Sequence, residues 1–332
     1  MTTPTGSASQ AGSKIDWLLF IALGFFWGSS YLFIKIGVEA GLQPFTLVML
    51  RLLIGAALLA TVVFLAREAL PREARFYGHI SVVGFFGIAL PFVLITVAET
   101  QVDSALAAVL TAPVPLFVVP IAALLLHDER LSLAKVLGVV LGLVGVALLV
   151  GFDPGQVART DFLAQLLLIG AAISYAIGGV YARRFVTGYR PMIPALFEVF
   201  TALVMVSIAA FLIERPLESP VTLESVGSVV WLGLFGSGLA FLVFFRLLGN
   251  WGAGRTSLVA YLLPVWGIVL GVAVLGEAIP PALIVGTTLI IGGIAMVNLR
   301  RMTFLLYAAR FRRRLIGRPK TAPAPDPAAG PR

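Results

Sequence analysis

The sequence predicts an all-α integral membrane protein of ten transmembrane helices, built as two inverted five-helix repeats. Three observations predict it: the composition, the apolar runs and an internal repeat. Of the 332 residues, 59% are hydrophobic and only 12% are charged, whereas a soluble domain carries about a quarter charged residues. The composition therefore excludes a soluble globular domain, a coiled coil and a disordered chain, and the folded surface must face lipid.

Ten apolar runs are long enough to be membrane spans, because a helix needs roughly 20 residues to cross about 30 Å of hydrocarbon. They are residues 17–37, 44–66, 78–99, 104–126, 132–151, 162–184, 191–213, 225–247, 253–275 and 280–299. Short connections make consecutive spans antiparallel hairpins of one bundle. The first run has the charged start of a signal peptide but no small-residue cleavage site, so we interpret it as a retained helix.

The basic residues predict the orientation. Most of the 24 Lys and Arg residues lie on the side that holds the N-terminus, and positive charge is retained on the cytoplasmic side. Both termini are therefore predicted in the cytoplasm, for a multi-pass protein of the plasma or inner membrane. The net charge of +8 then reflects topology, and no nucleic-acid partner is expected.

The C-terminal tail combines arginines with aromatic residues. The segment Arg310–Arg314 and its apolar neighbours fit a helix on the inner leaflet, held by anionic lipid. The alternative is a charge cluster that only fixes topology. The expected organisation is a tail (1–16), a first repeat (17–151), a linker (152–160), a second repeat (161–300) and a basic, partly disordered tail (301–332).

Few residues are available for catalysis or metal binding. The chain has no Cys and two His, and both histidines, His79 and His127, lie outside the apolar runs. We therefore expect no metal site, no cofactor and no catalytic residue. A Gly-rich phosphate loop followed by Lys and Ser or Thr is also missing from the sequence. A membrane-embedded enzyme and a channel without carrier activity remain the alternative functions.

The two halves of the sequence match each other at an offset of about 148 residues. Glu129 corresponds to Glu277, Gly87 to Gly236, and Pro44 to Pro191 in this ordered series. Each repeat has five spans, an odd number, so the second repeat enters the membrane from the opposite side. Inverted repeats are the common construction of secondary transporters, in which two similar halves exchange conformations around a midplane site.

The motifs resemble a known family. Residues 26–32 read FWGSSYL, Pro44 precedes Arg51 by seven residues, and proline-containing spans are followed by Glu129 and Glu277. This pattern resembles EamA-type repeats over nearly the whole chain and implies the ten-helix branch of the drug/metabolite transporter superfamily. The resemblance implies export or exchange of amino acids, related metabolites or drugs through a central cavity between the halves.

The first span offers a polar and aromatic face. Trp27 and Tyr31 share a helix face, with Ser30 beside it. Both aromatic rings can stack on a solute and donate hydrogen bonds, or they can fill gaps between helices. Lys35, near the end of the span, is expected only to reach toward water. Weaker candidates are Tyr175 and Ser174, opposite Trp27 in the repeat, together with Thr96 and Ser237.

Spans four and nine are repeat mates that should be irregular. Pro115 and Pro264 each remove a backbone hydrogen bond and are predicted to break their helices. The polar residues on these spans, Thr111 on the fourth and Ser257 and Tyr261 on the ninth, are therefore expected to line the pathway. The alternative is that the prolines only shape the bundle.

Two ionisable residues lie inside spans at equivalent repeat positions. Arg51 follows Pro44 and Glu198 follows Pro191, each by seven residues. Each should face a partner or a wet cavity, because an isolated charge in hydrocarbon costs at least a few kcal/mol. Their depths should differ by about 10 Å, so an ion pair between them is one possibility among several. Arg51 is either a structural anchor or an anion ligand, and Glu198 can carry a coupling proton, bind an amine or bond to a neighbour.

Glycines on the fifth span (Gly138, Gly142, Gly145) and the tenth (Gly286, Gly293) can pack either a second protomer or the same bundle. A homo-oligomer is therefore a possible state.

The leading hypothesis is a secondary transporter, an exporter of small organic metabolites that works by alternating access. The sequence does not identify the substrate or the coupling ion.

Overall fold

The computed structural model describes residues 14–125, 132–150, 160–251 and 256–297. They belong to one compact unit, Met1–Val297. The second unit, Asn298–Arg332, lies outside this description, and with it the predictions for the basic tail and Arg310–Arg314. Glu129 and the linker 152–160 also lie outside the described residues.

Ten apolar helices make up the described structure, which contains no strand in those ranges. Nine are long enough to cross a membrane and the tenth is shorter. They are α1 (Lys14–Glu39), α2 (Pro44–Leu65), α3 (Ala74–Ala98), α4 (Ser104–Leu125), α5 (Leu133–Val150), α6 (Thr160–Phe185), α7 (Met192–Ile213), α8 (Leu223–Trp251), α9 (Leu258–Leu275) and α10 (Pro281–Val297). The predicted all-α membrane fold is confirmed.

The connections before α2 and α7 have the same geometry. Gly41 has φ +89° and Gly188 has φ +86°, a left-handed conformation that glycine adopts without strain. Three residues later Pro44 is the first residue of α2 and Pro191 is the N-cap of α7, where the missing proline N–H costs nothing. The two repeats therefore turn their chains by the same local chemistry at opposite ends of the bundle.

Four helices contain an irregular segment, and the four form two repeat-related pairs. A π-helical segment interrupts α3 at Phe85–Ala89 and α8 at Leu232–Leu239. The helix α4 breaks between Thr111 and Val114, and α9 begins with the 3-10 turn Ser257–Tyr261. In α4 and α9 the α-helix resumes just before the proline, so Pro115 and Pro264 lie immediately beyond the irregular backbone.

The main helix contacts come in pairs that are related by exchange of the two repeats. Helix α1 packs on α8 and α9, and its mate α6 packs on α3 and α4. Helix α2 packs on α8, and its mate α7 packs on α3. The remaining pairs, α2 with α7 and α4 with α9, join mates to each other. The bundle thus has an internal pseudo-twofold relation, as inverted repeats require.

The glycine faces of α5 and α10 pack against each other within the chain. A Cβ at Gly293 would lie 2.5 Å from the carbonyl oxygen of Gly138, and a Cβ at Gly145 would lie 2.8 Å from that of Gly286. Only glycine permits this backbone contact. These faces are therefore used by the chain's own bundle, so they no longer argue for an oligomer.

The bundle has two ends, which we call the near end, where α1 begins, and the far end, where α1 finishes. Asp16 at the start of α1 meets Asn250 and Arg246 at the end of α8, with contacts of 3.1 Å and 3.5 Å at the near end. Lys35, close to the end of α1, meets the end of α3 at the far end. Because consecutive helices run in opposite directions, α3, α7 and α9 also finish at the far end.

Candidate functional site

Arg51 of α2 lies at the centre of the bundle and is only 2% exposed. Its Nε donates a hydrogen bond to Ser237 Oγ of α8 at 3.2 Å, and its guanidinium lies 4.2 Å from the ring centre of Phe92 of α3. Within the described residues no carboxylate lies within 4.0 Å of it. A hydroxyl and an aromatic face therefore hold this cation, and its charge is not neutralised by an ion pair there.

Three further polar residues lie near Arg51. The hydroxyls of Tyr31 and Thr111 share a hydrogen bond of 2.6 Å, and Thr111 is the last residue before the break in α4. Tyr175 of α6 interacts electrostatically with Arg51, with Tyr31 and with Glu198. The structure therefore brings Arg51, Tyr31, Thr111 and Tyr175, contributed by four helices from both repeats, into one central layer.

Arg51 and Glu198 each lie against a glycine of the opposite repeat, at equivalent positions. We call each of these contact positions a notch. A Cβ at Gly236, in the π-helical segment of α8, would lie 3.1 Å from Arg51 Nη2. A Cβ at Gly87, in the π-helical segment of α3, would lie 2.5 Å from Glu198 Oε1. Each charge is thus seated against a glycine on the π-helical segment of the other repeat, and such segments are frequent at functional sites.

The structure does not join Arg51 to Glu198 by an ion pair. In the part of the chain that is described, the Glu198 carboxylate has no hydrogen bond and no ion pair. The residue is half-buried, and its side chain lies against Gly87. The ion-pair alternative for these two residues therefore has no support in this conformation.

Some of the other predicted site residues lie beside Arg51, and others lie farther from it. Ser30 Oγ would lie 2.9 Å from a Cβ at Gly236, beside Arg51, although its hydrogen bond goes to the Phe26 carbonyl at 3.0 Å. Tyr261 packs against the core cluster that contains Tyr31. Ser257 begins the 3-10 turn of α9, but its side chain lies outside the described residues.

Trp27 lies against α8 and not beside Arg51. Its ring centre is 5.5 Å from that of Phe244 and 6.2 Å from that of Phe241. Trp27 and Phe244 belong to one hydrophobic cluster between α1, α8 and α9. Of the two roles open to Trp27 from the sequence, the geometry favours helix packing.

At the far end, two glutamates of the second repeat cap helices of the first. Glu214, after α7, accepts hydrogen bonds from the backbone N–H groups of Phe45 and Thr46 at 3.0 Å and 2.7 Å. Glu277, after α9, accepts from the N–H groups of Ser104 and Ala105 at 2.8 Å and 2.9 Å. A carboxylate at a helix N-terminus is favourable because it meets unpaired N–H groups and the positive end of the helix dipole. We call these contacts the far gate.

Lys35 and Glu99 form a second far-end feature, which the sequence analysis missed. Lys35 Nζ donates to the carbonyls of Glu99 and Val102 at 3.1 Å and 3.0 Å and lies 3.7 Å from Glu39. The expectation that Lys35 only reaches toward water is therefore wrong, because it binds the carbonyl end of α3. Glu99 itself is 0% exposed. The available signal was a carboxylate that directly follows an apolar run.

The near end has its own contacts between the repeats. Arg190 Nη1 lies 2.6 Å from Glu68 Oε1, which joins the start of α7 to the end of α2. Arg184 Nη1 donates to the carbonyl of Leu125 at 2.6 Å, which joins α6 to the end of α4. We call these contacts the near gate. The Arg190 side chain is 77% exposed, so the near gate is wetter than the far gate.

A crevice lies at each end, at repeat-related positions. The near crevice, of about 270 Å³, lies between the start of α3 and the end of α6, with His79 stacked on Phe185. The far crevice, of about 400 Å³, lies between the end of α1 and the start of α8, where it includes Glu39 and Glu224. Each end of the bundle therefore holds one set of gate contacts and one crevice.

Comparison with known proteins identifies the family of this chain. The model of the EamA-like transporter family matches residues 15–151 and 162–299. The chain belongs to this family. The EamA family match covers both halves separately, so each half is one EamA unit, and the resemblance seen in the sequence motifs is confirmed.

Individual EamA relatives agree with this assignment. The Escherichia coli protein named "Uncharacterized inner membrane transporter YedA" is 30% identical over 284 residues, covering 85% of this chain and 90% of the relative. The Bacillus subtilis protein named "Uncharacterized transporter YoaV" is 26% identical and covers 83% and 94%. A solved crystal structure with a TM-score of 0.62 and 26% identity covers 88% of this chain and 99% of its own. The chain is thus a membrane transporter.

Proposed function

We propose that this EamA protein is a secondary carrier that exports small organic solutes by alternating access between its two repeats. The observation that carries the proposal is the repeat-exchange symmetry of the packing, with one gate on each side of the central layer. A carrier needs two gates that open in turn around one site. Glu214 and Glu277 hold one of them, and Arg184 and Arg190 hold the other.

The solute site that we propose is the central layer around Arg51. A cation without a carboxylate partner among the described residues attracts an anionic or strongly polar group of a solute. The hydroxyls of Tyr31, Thr111 and Tyr175 add hydrogen bonds, and their rings and Tyr261 add apolar surface. Glu198, across Tyr175, is proposed to meet an amine or a coupling proton. Amino acids, amines and drug-like compounds are the solutes that match this chemistry.

The orientation and compartment are also proposals. The E. coli relative is named an inner membrane transporter, and the distribution of Lys and Arg supports a cytoplasmic location of both termini. The near end would then face the cytoplasm, so that a solute enters past Arg190 and leaves past Glu214 during export.

Reconstitution in liposomes tests the carrier function. A thermal-shift screen against amino acids, amines, nucleosides and drugs first identifies a ligand that stabilises the purified protein. We expect saturable counterflow of that ligand, accelerated by the same ligand on the opposite side. A non-saturating conductance would instead identify a channel, and a product formed without translocation would identify an enzyme.

The Glu198→Gln variant tests the role of that carboxylate in the same assay. Loss of the pH dependence of transport, with counterflow retained, supports a coupling proton on Glu198. Weaker binding of amines alone, by about tenfold or more, supports an amine site. Unchanged transport and unchanged pH dependence would remove Glu198 from the proposed mechanism.

A further inference from the structure

Glu99 is a buried carboxyl group without a partner. It is 0% exposed, and neither of its carboxylate oxygens has a hydrogen-bond partner. The hydroxyl of Ser104, at the start of α4, is also buried without a partner. An ionised carboxylate in such surroundings is strongly unfavourable, whereas the neutral acid is tolerated. The geometry of this conformation therefore fits a protonated Glu99.

The nearby cation does not neutralise Glu99, because its hydrogen bonds go elsewhere. Lys35 Nζ donates to the carbonyl oxygens of Glu99 and Val102 and lies beside the Glu39 carboxylate. The two carbonyl oxygens use two of the three N–H donors of the ammonium, and the Glu39 carboxylate forms an ion pair with it at 3.7 Å. The Glu99 side chain consequently receives no hydrogen bond from Lys35 while Lys35 holds the end of α3.

The far gate lies directly beside Glu99. Glu277 is bound to the N–H groups of Ser104 and Ala105, and its charge acts on Glu99. The charged and titratable groups that act on Glu99 come from two helices and one loop: Lys35 and Tyr31 on α1, Arg51 on α2, and Glu277 after α9. Arg51 also links Glu99 electrostatically to the central layer.

We propose that Glu99 is a proton-binding site that controls the far gate: the protonated acid permits closure, and release of the proton opens the gate. This proposal rests on the proposed carrier function, since it assumes that the far end opens. The ionised carboxylate would repel Glu277 from the start of α4 and attract Lys35 away from the end of α3. Both movements break far-end contacts, and the proton leaves to the water that enters the opened end.

The direction of the pH effect follows from the proton affinity of the two states. Glu99 lies one residue beyond α3, and burial raises its pKa well above the ordinary value of 4.5, while Lys35 lowers it and Glu277 raises it. Below pH 4.5 the acid is protonated whether the gate is open or closed. As the pH rises above 4.5 the open, hydrated state loses its proton first, so the open population grows until the pH passes the raised pKa of the closed state.

Two spectroscopic measurements test the proposal without any solute. Because the chain has no Cys, spin labels at Gln101→Cys and Leu217→Cys, both exposed at the far end, report the far-gate distance by pulsed electron paramagnetic resonance. Infrared difference spectroscopy reports the protonated carboxyl directly. We expect the label distance to lengthen as the pH rises and the carboxyl band to disappear over the same pH range.

Three variants make the assignment specific. Glu99→Gln imitates the protonated acid, so it should keep the short distance at every pH and lose the Glu99 contribution to the carboxyl band. Lys35→Met removes the nearby positive charge, so the transition should move to higher pH. The matched control is Glu39→Gln, which changes an exposed carboxylate beside the same Lys35 and should retain both the band and the response.

The outcomes separate this proposal from the carrier function. A pH-dependent label distance that survives in Glu99→Gln, or a transition that moves to lower pH in Lys35→Met, overturns the proton site. A proton site that behaves as expected while reconstituted protein shows no counterflow overturns the carrier proposal alone. Saturable counterflow together with a pH-independent far-gate distance overturns the proton site alone.

Discussion

Arg51 carries a buried charge, although the packing of the helices at this position does not require a charged side chain. Its contacts are one hydroxyl, Ser237, and one ring, Phe92, and a hydrophobic side chain of similar volume could fill the same space. Replacing a buried charge by such a residue is often neutral or stabilising. Solute binding therefore explains this buried charge, with its desolvation cost, better than a contribution to the stability of the fold does.

We predict that Arg51→Met separates function from stability. The apparent melting temperature of the purified variant should stay within a few degrees of the wild type or rise, while ligand-induced thermal stabilisation and counterflow should fall by about tenfold or more. The control is Leu52→Ala, at the next, fully buried position, which should destabilise the protein by about 2–5 kcal/mol through a cavity. A large loss of stability with normal binding in Arg51→Met would show a structural anchor.

Glu99 and Lys35 show why part of the site escaped prediction from the sequence. The apolar run identified the end of the third span, and the charge of Lys35 suggested a side chain directed to water. Their meeting depends on how α1 and α3 pack at the far end, which no local pattern encodes. By contrast, Tyr31, Thr111 and Arg51 could be selected because polar residues inside apolar helices are unusual wherever the helices pack.

At the scale of helices, the length of the apolar runs predicted the ten helices. The prolines predicted the irregular backbone of α4 and α9. The π-helical segments of α3 and α8 were not predicted. Their glycines were visible as repeat matches, but only the structure shows that Gly87 and Gly236 seat the two intramembrane charges. In the sequence, a glycine that lets another side chain approach the backbone closely looks the same as a glycine without such a role.

We predict that Gly236→Ala disturbs the notch around Arg51. The new methyl group would lie 2.9 Å from Ser30 Oγ and 3.1 Å from Arg51 Nη2, so these side chains must move. Ligand affinity should fall by about tenfold, which thermal-shift titration measures, at a stability cost of about 1–3 kcal/mol. Gly227→Ala is the control in the same helix, because nothing lies within 4 Å of its Cβ; equal effects of both variants would argue against the notch.

The contact between α5 and α10 gives a second prediction at this scale. In Gly293→Ala the methyl group would lie 2.5 Å from the Gly138 carbonyl oxygen and 2.6 Å from the Gly142 nitrogen. Overpacking of two backbones should cost about 1–3 kcal/mol and lower the melting temperature in detergent. The neighbouring Gly292→Ala, with only Leu141 at 3.7 Å, should have little effect. Similar melting temperatures for both variants would contradict this packing.

For the whole molecule, the internal repeat was the most informative feature of the sequence. An odd number of spans in each half predicted an inverted relation, and the main helix contacts come in repeat-related pairs, as that relation requires. The position of Glu277 at a helix end indicated a cap or a gate contact, but its partners were beyond prediction because they depend on which loop meets which helix start. The chemistry of the two gates also differs, since backbone N–H groups are capped at the far end and an exposed ion pair forms at the near end.

The central claim is that the two ends open in turn, and one double distance measurement tests it most directly. Spin labels at Gln101→Cys and Leu217→Cys report the far end, and a second pair at Leu70→Cys and Thr187→Cys, also exposed, reports the near end. Both pairs are measured in lipid nanodiscs across pH and with the ligand found by thermal shift. The account predicts that conditions that lengthen one distance shorten the other. Lengthening of both distances together would contradict alternating access and indicate a continuous pore.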